Sequence, residues 1–325
     1  MKMATTVLGL KTFAASDPVD YNEINDNYNK IDSGVKTALQ GRAAHNLLDN
    51  SDFCIAQAGY GGFHGNIKYA ADRWNMIASV SGVTKKSDQI TITTTSDYGG
   101  IYQTVKVDEM GDGDTFTFAF RYKASGGAFI KVSRRQADGS YLSDVKGTWF
   151  DESANAFGLA LITITRDEIS TSDVLIFHIQ KTSTGVMTIK HPRLYEGSYT
   201  AETLPAYQPK RYAAELAECQ RYYWQYWQNN NMSAGNGYMN TTDTANITFE
   251  FPTKMRVAPT ISIEDISTLR MMCVDGLKGV TAYSVVKSTY NQMMVGFTLN
   301  SASTQFTPCT MRSNGGAKIE FSADL

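Results

Sequence analysis

From about Asn46 onward the chain alternates apolar and polar residues with a period of two, and this constrains its fold more than any other feature. The run "TFTFAFRYKA" (115–124) sets Phe116, Phe118, Phe120 and Tyr122 on one face. "QITITTTS", "FIKVSRR", "LALITITR", "VLIFHIQK" and "GVMTIKH" repeat the pattern, separated by Gly, Asp and Ser. Successive strand residues point to opposite sides of a sheet, so each run predicts a half-buried strand. Short strands at regular spacing without intervening helices predict an antiparallel β-sandwich over residues 46–198. A second set, "NITFEF", "APTISIED", "YSVV", "MMVGFTLN" and "AKIEFSA", alternates through Ile247, Phe249, Phe251, Val295, Phe297 and Leu299. It predicts a smaller C-terminal β-sandwich over residues 229–325. The fold class is therefore mainly β. No repeat of 20 to 50 residues supports a solenoid or a β-helix.

Two stretches carry a helical period instead. In residues 16–40, Asp17 can cap a helix that Pro18 opens. Tyr21, Ile24, Tyr28, Ile31 and Val35 then follow at spacings of three and four. That a/d seam predicts a coiled-coil helix packed on copies of itself, within an N-terminal segment spanning residues 1–45. The second stretch, "ELAECQRYYWQY" (215–226), predicts a helix from about Arg211 to Trp227 within a linker over residues 199–228, where Pro205 and Pro209 punctuate the chain. Leu216, Cys219, Tyr223 and Tyr226 form a short seam at spacings of three, four and three. The run reads as a collar between domains and subunits, with a ligand platform as the alternative.

Composition narrows the function. With 30 Lys and Arg against 32 Asp and Glu in 325 residues, no global basic field exists to gather nucleic acid or an anionic membrane. No run approaches the ~18 apolar residues of a membrane span, and Lys11 interrupts the apolar start, so the expected place of synthesis is a cytoplasm. Four dispersed cysteines, Cys54, Cys219, Cys273 and Cys309, lack a CxxC pair and read as small buried hydrophobes.

Catalytic and cofactor constellations are missing from the sequence. His45, His64, His178 and His191 stand in no metal-ligand spacing, and there is no GxSxG elbow. "GYGGFHG" (59–65) misses the spacing of a dinucleotide loop. "DEMGDGD" (108–114) offers Asp112 and Asp114 to calcium but reads better as a turn. Paired acids such as Asp151 and Glu152 suit solvated turns better than a glycosidase. The expectation is no cofactor, no metal and no catalysis. Aromatic residues in or beside presumed loops, Tyr60, Phe63, Tyr98, Tyr102, Trp149 and Tyr238, are candidate sugar contacts or packing residues.

Three longer motifs carry a family resemblance. "NLLDNSDFCIAQAGYGG" with "YAADRW", "HPRLYEGSYTAETLPAYQPKRYAAELAECQRYYWQY", and "FEFPTKMRVAPTI" together anchor most of residues 46–265. They resemble β-sandwich and terminal modules of bacteriophage and prophage tail-fibre proteins. The resemblance implies a homotrimeric receptor-binding protein of the virion. Its N-terminus would sit on baseplate or tail proteins, and its jelly-roll sandwich would be similar to carbohydrate-binding modules. The implied ligand is bacterial surface polysaccharide. Such modules often hold a structural calcium, but Cys54 follows Phe53 here and Arg193 stands where an acid often sits.

On a trimer anchored by its first helix, the last domain lies farthest from the virion. Asn231, Asn236, Tyr238, Asn240, Arg312 and Asn314, read as loop residues, are therefore the expected receptor contacts. The rival readings are a tail-associated glycan depolymerase and a bacterial lectin or adhesin unconnected to phage.

Overall fold

The computed structural model describes residues 24–31, 45–64, 67–136, 140–169, 174–227, 233–313 and 318–323. Residues 24–31 form a helical segment, α1. Within it Tyr28 and Ile31 are exposed and Ile24 is half-buried, while Tyr21 and Val35 of the same expected seam lie outside the described residues.

The first domain runs through β1 (Phe63–His64), β2 (Ile67–Ala71), β3 (Trp74–Met76), β4 (Val80–Lys86), β5 (Gln89–Thr94) and β6 (Gly100–Lys106). It continues with β7 (Thr115–Ala124), β8 (Ala128–Arg135), β9 (Tyr141–Phe150), β10 (Ser153–Thr165), β11 (Val174–Lys181) and β12 (Gly185–Glu196). Two sheets result, a seven-stranded one ordered β1-β2-β3-β6-β11-β8-β9 and a five-stranded one ordered β10-β7-β12-β5-β4. Each pairing given for these strands is antiparallel. The facing sides make one apolar core, in which Phe118 of β7 meets Phe177 of β11 edge-on at 5.1 Å. The alternating residues Phe116, Phe118, Phe120 and Tyr122 are all buried, as their spacing predicts.

The expected helix over Arg211–Trp227 is shorter than its periodicity suggests. α2 covers Tyr212–Gln220, and the chain then turns into strand β13 (Tyr223–Trp227). The run of large aromatics favours a pleated backbone, where such side chains keep their rotamer freedom. Consequently Leu216, Cys219, Tyr223 and Tyr226 do not share one helical stripe. Tyr226 and Trp224 face the second domain's core, where Trp224 stacks on Phe321 at 5.2 Å. Tyr223, on the other face of the strand, donates to Glu320 Oε1 at 2.5 Å.

The C-terminal part also departs from the expected sandwich. Six strands close into a barrel: β14 (Ser233–Met239), β15 (Thr244–Glu250), β17 (Leu269–Cys273), β18 (Gly276–Ser288), β19 (Gln292–Leu299) and β20 (Pro308–Ser313), in the order β14-β15-β19-β18-β17-β20. A three-stranded sheet, β13-β21-β16, joins Tyr223–Trp227 to β21 (Lys318–Ser322) and β16 (Thr260–Ile263). Sandwich strands and barrel strands share the period of two, so alternation alone does not separate them. The barrel is tight at β14, where a Cβ on Gly237 would stand 1.8 Å from the Asn246 carbonyl oxygen. "NNNMSAGNGYMN" is thus partly barrel strand, where its composition predicts a loop. Among the described residues no helix is long and apolar enough to cross a membrane.

Candidate functional site

The residues of the three tail-fibre-like motifs converge, but on a buried junction between the two domains. Asn50 Nδ2 donates to the carbonyls of Ile55 (2.8 Å) and Asp72 (2.7 Å), and the Trp74 indole donates to Asn50 O at 3.0 Å. Arg73 pairs with Asp49 at 3.0 Å, donates to Thr104 O at 2.8 Å and lies 3.3 Å over the Tyr222 ring. From α2, the Glu215 carboxylate accepts the Asn50 amide, while Lys210 pairs with Glu218 at 2.5 Å. Gln57 Nε2 reaches Tyr223 O at 2.8 Å, and Arg256 caps Ala323 O at 2.9 Å. Asp49, Glu215 and Glu218 crowd closely enough to suggest a cation site. Arg73 and Lys210 supply that positive charge themselves. Similarly, Arg166 donates to the carbonyls of Gly111 and Gly113 in the loop that carries Asp112 and Asp114, so a side-chain cation already serves it.

The outer face of the seven-stranded sheet is different in kind. Cross-strand register lines up Asn75, Tyr102, His178, Lys131 and Gly147 in one row. The neighbouring row holds Gly100, Gln180, Phe129 and Trp149. At a strand spacing of ~4.8 Å, the first row spans roughly 19 Å. Phe129 lies 4.7 Å from Trp149 and 5.7 Å from Tyr98, ring centre to ring centre. Gly147 makes this possible, since a Cβ there would stand 2.8 Å from Phe129 Cζ. Trp149 is 64% exposed and Tyr98 43%, so two rings of the trio face solvent. Tyr98 adopts a left-handed backbone (φ 58°), held by its amide donating to Lys181 O and its carbonyl accepting from Gln180 Nε2, each at 2.8 Å. A non-glycine residue in that region costs strain that these bonds offset.

Beside the rings lies a polar strip. His178 Nε2 and Ser133 Oγ are 2.9 Å apart, and Lys131 pairs with Asp144 at 2.8 Å. Burial, reinforced by Lys131 and Arg135, lowers the His178 pKa to about 4, so the ring is neutral near pH 7. Its Nδ1 and the Asn75 Oδ1 are buried without a hydrogen-bond partner among the described residues. A native fold seldom leaves such groups unpaired. The face therefore sets flat apolar rings beside a polar strip, the combination that a sugar's C–H face and hydroxyls require.

Of the aromatic candidates named from the sequence, Tyr98, Tyr102 and Trp149 come together here, with Tyr102 and Trp149 on strands rather than in loops. Tyr60 donates to Phe53 O at 2.8 Å, and Phe63 sits on the edge strand β1. Phe129 is not among those candidates. Its signal is its place in "FIKVSRR", where the strand period sets it on the polar side with Lys131, Ser133 and Arg135.

The expected C-terminal contacts divide. Asn236 and Tyr238 lie on β14 and Arg312 on β20, two paired strands, and Thr310 Oγ1 donates to Asn236 Oδ1 at 3.1 Å. Asn240 follows β14 at an exposed turn. Asn231 and Asn314 lie outside the described residues. Of the cysteines, Cys219, Cys273 and Cys309 are buried and Cys54 is half-buried.

Comparison with protein-family models returns no match, and comparison with curated proteins returns none either. Among solved structures, a xylan-binding domain of Xyn10C from Paenibacillus barcinonensis is 13% identical, covering 48% of this chain and 98% of that one at a TM-score of 0.35. A family 22 carbohydrate-binding module of Clostridium thermocellum Xyn10B is 14% identical, covering 39% and 88% at a TM-score of 0.30. The enzymatically active domain of a tailspike from bacteriophage CBA120 is 13% identical, covering 46% of this chain and 21% of that one at a TM-score of 0.32. At such low identity and overlap, the functional assignment falls to this chain's own side chains.

Proposed function

We propose that the protein is a non-catalytic glycan-binding component of a phage tail, holding polysaccharide of the host surface across the outer face of its seven-stranded sheet. The aromatic shelf carries this reading: Trp149 and Tyr98 present rings to solvent beside Phe129, on the same sheet face as Lys131 and His178. A sugar ring stacks on the shelf with its hydroxyls toward the polar strip beside it. The carboxylate nearby on β9, Asp144, which lies opposite Ser133, is neutralised by Lys131, which favours binding over glycosidic cleavage, where two carboxyl groups must flank the bond.

Attachment to a virion rests on the three motifs resembling tail-fibre modules. Assembly as a homotrimer would use the seam expected over residues 16–40, whose Tyr28 and Ile31 are exposed on α1 in the single chain, with the N-terminus on baseplate or tail proteins. Tyr223 and Tyr226 hold the domains of one chain, and Leu216, half-buried on α2, is the seam residue with surface left for a neighbouring subunit. A second reading puts receptor contact on the barrel, because Asn236, Tyr238 and Arg312 share paired strands there. Among the described residues the barrel surface shows no stack of rings like the shelf's, so the first domain is preferred.

Fluorescently labelled protein should stain intact susceptible bacteria, and periodate oxidation of the cells should abolish the stain. Trp149→Ala should remove most of it, while Tyr238→Ala should leave it. Staining that survives Trp149→Ala and falls with Tyr238→Ala would move the site to the barrel.

A further inference from the structure

The five-stranded sheet carries a second concavity on the opposite side of the sandwich from the shelf. Its volume is about 390 Å³, within the range of small-ligand pockets (roughly 300–1,000 Å³). The floor is set by register: Leu159, Arg121 and Lys190 lie in one row across β10, β7 and β12. Phe157 and Leu159 supply an apolar wall, and the segment 201–207 after β12 covers one side.

A β-bulge makes the pocket cationic. The pairing of β12 with β7 shifts between Lys190 and Arg193, and His191 within the bulge has a left-handed backbone (φ 51°). Without the extra residue, positions 190 and 193 would point to opposite faces of the strand. With it, Lys190 pairs opposite Arg121 and Arg193 opposite Ala119, all on the outer side. Bulges of this kind re-aim a side chain, and here the side chain is an arginine.

Charge balance in the pocket is unusual. Asp88 binds Lys190 at 2.7 Å and His191 at 2.8 Å, and Asp52 lies 4.0 Å from the same imidazole, so both nearby acids face His191 rather than the arginines. Arg193 is 6% exposed, yet no hydrogen bond or ion pair to its guanidinium exists among the described residues, and its Nε is buried and unpartnered. Arg121 at the mouth has no ion pair among them either. An unpaired buried cation is costly and calls for an anion. Arginine's planar fork suits a carboxylate or a phosphoryl group in particular.

We infer that this pocket binds a small organic anion, its oxyanion group on Arg193 and Arg121 and its apolar body against Phe157 and Leu159. The site is separate from the aromatic shelf and goes beyond the glycan reading given to that face.

Glucuronate, glucose 6-phosphate and glucose, titrated into the full chain by calorimetry, test it. The ¹⁵N–¹H resonance of Arg193 Nε is followed in parallel. At least one anion should bind and shift that resonance, glucose should do neither, and Arg193→Met should weaken the anion at least tenfold. Binding of the uronate alone identifies a carboxylate site and of the phosphate alone a phosphoryl site; binding of both identifies a general oxyanion site. If Arg193→Met does not fold, Arg121→Gln at the mouth takes its place, with a threefold or greater loss expected. An Arg193 resonance that ignores both anions, or an affinity unchanged in the variants, overturns the proposal.

Discussion

The interdomain junction and the aromatic shelf both rely on tyrosine and tryptophan, and they use them in opposite ways. At the junction Tyr222 and Tyr223 are 5% and 1% exposed, and each ring or hydroxyl has a partner in Arg73 or Glu320. On the shelf Trp149 and Tyr98 lean on Phe129 but turn much of their surface outward. Fully paired buried groups stabilise the fold and have nothing left to offer a ligand. Half-covered rings contribute less to folding and keep apolar surface free for a ligand. The motifs that are easiest to recognise in this sequence belong to the first region, while the proposed binding face is the second.

The sharpest way to break this contrast is Arg73→Ala. It removes the cation shared by Asp49, Thr104 O and the Tyr222 ring, and should destabilise the protein by about 3–5 kcal/mol in denaturant unfolding. A loss under ~1 kcal/mol would mean that the junction is not held as described. Trp149→Ala should do the reverse: a tenfold or greater loss of affinity for surface polysaccharide, ~1.4 kcal/mol, with stability changed by no more than ~0.5 kcal/mol. Equal effects on binding and stability would erase the distinction.

Two smaller effects concern protons. Burial raises the Glu215 pKa from 4.5 to about 7, against the opposing influence of the Asn50 amide and Lys210. The native state thus holds this proton more tightly than the unfolded chain, so its contribution to stability is complete at low pH and is lost as pH rises from about 4.5 through 7. Glu215→Gln keeps an acceptor for Asn50 and should flatten that slope, gaining on the order of 1 kcal/mol at pH 8; an unchanged slope would assign the titration elsewhere. His178 has the opposite shift. Its folded pKa, about 4, lies below the ordinary 6.5, so the unfolded chain takes up the proton first and stability falls as pH drops through that window. Between pH 6 and 8 its ring stays neutral, and shelf affinity should vary less than twofold; a steep change there would show that the imidazole titrates in the binding range.

The sequence by itself determined that this is a β protein, and it located many of the strands. Period two is imposed by the pleat, and a residue's hydrophobicity decides which side faces the core; hence the inward face of Phe116, Phe118, Phe120 and Tyr122 follows from their spacing alone. Where burial is weak, so is the signal. β9 is exposed along most of its length and shows no alternation, and β14 has glycine where side chains would collide inside the barrel. The run after Gln220 has helical spacing, yet it forms a strand because β21 offers it a pairing edge and a stack for Trp224. Tertiary structure alone decided which strands became neighbours, and so which side chains met. Trp149 is 51 residues from Tyr98, and the two rings are bridged by Phe129 from a third element. Arg193 meets Arg121 because of one extra residue in a bulge. Sheet register is set by contacts between segments distant in the chain, and a site assembled from it leaves no spacing to read along one strand.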